Sequence, residues 1–133
     1  VIAVDSSTWI AFFEGDSGAD VELLESARRD HQVLMVPAVL TELLSDPKLP
    51  TEVSIELSNL PSIETGPGYW QRAGELRARV LAKGRKARLG DALIAQSCID
   101  RGIRLLTRDR DFRAFVGAAG LDLVIRPEPQ NRG

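Results

Sequence analysis

Hydrophobic and polar positions alternate along the chain in short blocks. "VIAV" at 1–4 is an apolar run closed by Asp-Ser-Ser, the pattern of a buried strand. "STWIAFFEG" reads as a short helix after it. "SGADVELLESARRD" reads as an amphipathic one, with Val21, Leu23 and Leu24 on one side and Arg28 and Arg29 near its end. "QVLMV" (32–36) is a second buried strand. Pro37 is well placed to open a helix over "PAVLTELLSD", and "PTEVSIELSNL" (50–60) repeats the pattern between prolines. Leu76, Val80 and Leu81 at helical spacing predict a long helix over Tyr69–Ala82. "GDALIAQSCID" is apolar nearly all round, so it predicts a buried helix, opened by Asp91 and stopped at Arg101-Gly102. "IRLL" (103–106) is a third strand, "RDFRAFVGAAG" a short helix, and "LDLVI" (121–125) a last strand.

Strands separated by helices predict an α/β fold, one domain with a central, mostly parallel sheet flanked by helices. The domain is expected over residues 1–126, with a flexible C-terminal tail at 127–133. The length of 133 residues suffices for one real core. A single cysteine, Cys98, excludes an internal disulfide and a CxxC metal cluster, and reads as a small buried hydrophobe. The apolar runs are too short to span a bilayer, and the N-terminus reads as a strand with no basic leader, so a cytoplasmic protein is expected. A net charge of −2 excludes a globally basic nucleic-acid binder but not a local basic patch. With His31 the only histidine, no mechanism using a histidine pair is available.

In parallel sheets, ligands collect outside the carboxyl ends of the strands. Asp5 follows the first strand, Glu42 lies one helical turn beyond Pro37 after the second, and Asp109 and Asp111 follow the third. Asp91 stands at the mouth of the buried helix. Each has a local role available as well: Asp5, Asp91, Asp109 and Asp111 as helix caps, Glu42 as a solvated residue near a helix start, and the last two as partners of Arg108 and Arg110. Convergence on one sheet edge explains all five positions together. Crowded carboxylates repel, and a divalent cation reverses that penalty. Oxygen donors without cysteine or paired histidine favour Mg²⁺ or Mn²⁺ over zinc.

At these residues the sequence resembles a PIN domain, specifically the VapC type of toxin ribonuclease. The matching pieces are "VIAVDSSTWIAFF", "VPAVLTELL", "LGDALIAQ" and "LLTRDRDF", in family order over nearly the whole chain. The resemblance implies a metal-dependent endoribonuclease with Asp5, Glu42, Asp91 and Asp109 as its acids and Asp111 assisting. Ser6 and Thr107 match hydroxyl positions that orient the acids or a water. It also implies an RNA substrate, a homodimer, and neutralisation by a VapB-like antitoxin.

The expected chemistry is in-line attack by metal-activated water, with one or two Mg²⁺ or Mn²⁺ ions, leaving 5′-phosphate and 3′-hydroxyl ends. "KGRKARLGD" places Lys83, Arg85, Lys86 and Arg88 ahead of Asp91, either as a phosphate-tracking rim or as solvated helix-end residues. Two rival functions are a phosphohydrolase using Asp5 as covalent nucleophile, against which Ser7 counts, and a non-catalytic RNA- or protein-binding module. Trp9, Phe12 and Phe13 are expected in the core, and Trp70 as a staple packed against its neighbours.

Overall fold

In the computed structural model, which describes residues 1–124, the sheet predicted from the sequence is parallel throughout and narrow. Strand β1 (Ile2–Val4) lies between β2 (Val33–Leu34) and β3 (Arg104–Leu106), with Ala3 opposite Leu34 on one side and Leu105 on the other. Single parallel bridges extend both edges, Met35 to Ser62 beyond β2 and Leu105 to Leu123 beyond β3. The chain therefore builds outward from β1 in one direction, then returns and builds outward in the other. The order reverses between β1 and β3, and a crevice opens at the carboxyl ends of strands at such a reversal.

The helices are α1 (Ser6–Phe13), α2 (Ala19–Arg29), α3 (Pro37–Leu44), α4 (Thr51–Ser58), α5 (Tyr69–Ala82), α6 (Leu89–Arg101) and α7 (Arg113–Ala119), the last entered through a 3₁₀ turn at Arg110–Phe112. Helix α6 is the spine. Its Ala92, Ile94, Ala95 and Cys98 are all buried, and it ends at Gly102, whose φ of 63° is the left-handed conformation that a side chain would strain. Burial pushes the Cys98 thiol up to about 12, so it behaves as an inert hydrophobe. No helix among the described residues is long and apolar enough to cross a membrane.

Four expectations need correction. Among the described residues, "LDLV" forms a single bridge at Leu123 and no ladder: Leu105 of β3 donates to Asp122 O and accepts from Val124 N. Ile125 and the expected tail lie outside the described residues. Helix α6 starts at Leu89 with Arg88 as its cap, so Asp91 falls inside the first turn and does not open it. Trp70 is not a packed staple: it is 65% exposed, and Tyr69 turns inward in its place. Of the three early aromatics only Trp9 is fully buried; Phe12 is half-buried, and Phe13, stacked on Trp9 at 5.8 Å, reaches solvent.

Leu105 is fully buried in the strand that carries the chain to the crevice. Leu105→Ala should cost about 2–5 kcal/mol of unfolding free energy, read from the midpoint of a urea titration.

Candidate functional site

Asp5 leaves the end of β1, caps α1, and is only 3% exposed. Its Oδ2 accepts three hydrogen bonds: from Ser7 N at 3.3 Å, Ser7 Oγ at 2.6 Å and Thr107 Oγ1 at 2.9 Å. None of the described residues donates to Oδ1. The line of contacts continues across the crevice. Asp109 N donates to Thr107 Oγ1 at 3.0 Å, and Asp111 N donates to Asp109 Oδ1 at 2.9 Å. Asp109 is thus the cap of the 3₁₀ turn and holds Asp111 one step further on.

Glu42 comes from α3, and its Oε1 accepts from Ser6 Oγ at 2.8 Å. Its other oxygen passes over Gly90 so closely that a Cβ there would sit 3.0 Å from Oε2. The glycine in the first turn of α6 is therefore the space through which Glu42 reaches the pocket.

Asp91 is the most constrained of the acids. It is 6% exposed, and its Oδ2 is buried with no hydrogen-bond partner. Burial pushes its carboxyl up to about 6, helped by the charges of Asp109, Asp5 and Glu42 and opposed by Arg88. Carboxylate oxygens of Asp91, Asp109 and Asp111 all lie within 4.8 Å of one another. Asp5 and Glu42 stand outside this triad, yet near enough to load the same carboxyl.

The positive charge present is Arg88. Its Nη1 lies 3.4 Å from Asp109 and 3.8 Å from Asp91, and its Nη2 lies 3.5 Å from Asp111. Lys86 adds a contact to Asp111 at 3.4 Å. These distances exceed the roughly 2.7–2.9 Å of a tight charge-assisted hydrogen bond. Arg88 screens the triad without satisfying it. Lys83 and Arg85 are exposed and make no ion pair among the described residues.

Arg108 turns away from Asp109 and Asp111 and grips Asp20 of α2, Nε to Oδ2 at 2.8 Å. Burial would raise the Asp20 carboxyl, but hydrogen bonds from Arg108 and Thr8 outweigh it and hold the group below its ordinary value. Arg108 is therefore a brace between the β3 exit and α2.

The acids expected from the sequence, Asp5, Glu42, Asp91, Asp109 and Asp111, share one crevice, and Ser6 and Thr107 each hold one of them. Ser7 and Gly90 were not anticipated as parts of it. Ser7 gave a hint through its place directly after an Asp-Ser pair, whereas Gly90 looked like helix punctuation. The donor set fits a hard divalent cation: every ligand candidate is a carboxylate, and one buried oxygen, Asp91 Oδ2, accepts no hydrogen bond and meets only the distant Arg88 guanidinium at 3.8 Å.

This fold and crevice define a class. The chain belongs to the PIN domain family, whose description it matches over residues 2–117. Among individual proteins, it is 27% identical over 93 residues to Ribonuclease VapC5 of Mycobacterium tuberculosis (strain ATCC 25618 / H37Rv), covering 70% of this chain and 67% of that protein. It also resembles the crystal structure of VapBC-5, a member of the VapBC family of toxin-antitoxin systems from Mycobacterium tuberculosis. That match has a TM-score of 0.66 and 20% identity, covering 94% of this chain and 98% of that one.

Two outcomes test the geometry. Asp91 binds its proton more tightly in the folded than in the unfolded chain, so metal-free stability should fall as pH rises from about 4 to about 6 and stay low above that. Asp91→Asn removes the penalty, raising metal-free stability at pH 8 by up to roughly 3 kcal/mol and changing it little at pH 4, as urea titrations in a chelator would show. Gly90→Ala should favour α6 by up to about 1 kcal/mol. Its Cβ should nonetheless push Glu42 aside and weaken Mn²⁺ binding several-fold, measured by titration with Mn²⁺ under electron paramagnetic resonance.

Proposed function

We propose that this protein is a metal-dependent endoribonuclease acting as the toxin of a toxin–antitoxin pair. The observation that carries the reading is the buried Asp91 oxygen that accepts no hydrogen bond inside a crevice of converging carboxylates. Membership of the PIN domain family and the likeness to a protein named Ribonuclease VapC5 support the reaction class and the RNA substrate. The likeness to a VapBC complex supports a VapB-like antitoxin as partner. A homodimer working in the cytoplasm completes the proposal.

Asp91, Asp109 and Asp111 would hold Mg²⁺ or Mn²⁺, as one ion or two, with Asp5 and Glu42 closing the pocket. The ion, when bound, supplies positive charge against the phosphate oxygens and makes an attacking water more acidic. The chain's own residues do the positioning. Thr107 and Ser7 hold the Asp5 carboxylate, and Ser6 holds that of Glu42. Arg88 and Lys86, which face the acids, and the exposed Lys83 and Arg85 would offer positive charge to the phosphates of the RNA. Water attacks phosphorus in line and the 3′ oxygen departs, leaving 5′-phosphate and 3′-hydroxyl ends.

Incubation with cellular RNA and Mg²⁺ or Mn²⁺ should yield those ends on mapping, and none after chelation. Products with 2′,3′-cyclic phosphates would exclude the mechanism, because they require the ribose 2′-hydroxyl as nucleophile. Asp109→Asn should lower the rate at least about a hundredfold, in line with the loss of a group acting in the transition state. Asp111→Asn should retain more activity, since Asp109 is the residue that also orders the turn.

A further inference from the structure

Beside the carboxylates lies a second concavity, a cavity of about 640 Å³ lined by residues including Thr41, Glu42, Glu64, Trp70, Leu89 and Gly90. It shares Glu42 and Gly90 with the acidic crevice, so the two are neighbours. Its mouth carries two large apolar side chains that the fold leaves out of its core, Trp70 at 65% and Leu89 at 63% exposure. The indole is not loose. It packs edge-on against Tyr69 with ring centroids 4.9 Å apart, and Tyr69 is pinned by its hydroxyl donating to Leu93 O at 2.6 Å. Trp70 is thus a presented surface on a fixed support.

The charges around the cavity restrict what enters it. Glu42 and Glu64 line it, and among the described residues no lysine or arginine does. A phosphate is repelled there. A flat, neutral ring is accepted by the indole and leucine, and its N–H groups meet carboxylates and the hydroxyls of Thr41 and Thr65. The cationic side chains stand just outside, at Arg85, Lys86 and Arg88, immediately before Leu89. A ring-binding cavity next to a phosphate-handling crevice with a basic rim matches the repeat of a single-stranded polynucleotide. Aromatic platforms bind such strands by stacking on unpaired bases.

We propose that this cavity is a nucleobase subsite: an unpaired base beside the cleaved linkage stacks on Trp70, against Leu89, while its phosphate faces the carboxylates. The proposal rests on the ribonuclease reading and adds that the enzyme selects its cleavage position through this base.

Two tryptophans make the test direct, because Trp9 is 1% exposed and Trp70 is open. A short unstructured oligoribonucleotide added to the cleavage-impaired Asp109→Asn protein should quench the emission of Trp70. The same titration on a protein also carrying Trp70→Phe, which leaves only Trp9 emitting, should show no quenching. In cleavage assays Trp70→Ala should raise KM about five- to a hundredfold, the loss expected for one stacked base, and shift the cleavage positions. Trp70→Phe should restore most of the binding. If wild-type protein cleaves RNA while Trp70→Ala leaves KM and cleavage positions unchanged, the subsite is overturned and the nuclease stands. It is equally overturned if Trp70 emission shifts to the blue as protein concentration rises without RNA, which would mean that a second copy covers it. It is overturned too if Trp70→Ala abolishes binding of a protein partner without altering RNA cleavage. Absence of RNA cleavage by the wild type would overturn the ribonuclease reading itself, and with it this subsite.

Discussion

The Asp5 carboxylate is the joint on which the crevice depends. A buried carboxylate is tolerated only when it is well hydrogen-bonded. Here the donors come from both sides of the strand reversal, Ser7 after β1 and Thr107 after β3. The backbone reinforces the same seam, with Asp5 N donating to Leu106 O at 2.9 Å. Thr107 in turn accepts from Asp109 N, so a side chain at the start of the chain sets the loop that carries Asp109 and Asp111. Arg108, between Thr107 and Asp109, is drawn off to Asp20 and so ties the start of this loop to α2.

The pocket is built against its own stability. Asp91 sits in the first turn of the helix that the core is packed around, close to four other carboxylates and with one buried oxygen that accepts no hydrogen bond. A sequence chosen for stability alone would place a neutral residue there. Arg88 offsets part of the repulsion from a half-exposed position, at distances too long to close the pocket. The metal-free protein is thereby foldable, and the triad remains open to a stronger cation.

The helices were largely legible because their apolar residues repeat at 3.6: Leu76 and Val80 fix α5 at Tyr69–Ala82, as predicted from the spacing. The strands were harder. β2 keeps only Val33 and Leu34 in its ladder, and "LDLVI" touches β3 at one residue, since an apolar run shows burial without showing how much of it pairs. Periodicity also failed to say which of two adjacent aromatics turns inward. Tyr69 does because its hydroxyl finds Leu93 O, a partner 24 residues away, and Trp70 is left outside. The acids were visible through their place after apolar runs on one sheet edge. Gly90 was not, because its role exists only once a distant Glu42 arrives beside it, and Ser7, though it holds Asp5 locally, sits in a pattern that an ordinary helix cap shares.

The strand order also has a temporal consequence. Asp5 and Glu42 belong to the first half of the chain, while Asp91, Asp109 and Asp111 belong to its last third. The central strand β1 gains its second neighbour only when β3 is added. A chain growing from its N-terminus therefore holds no assembled pocket until residues past 111 have left the ribosome. Chains stalled before Asp109 carry some of the acids but not the set, so the fold withholds its chemistry from the machinery that makes it until that loop has emerged.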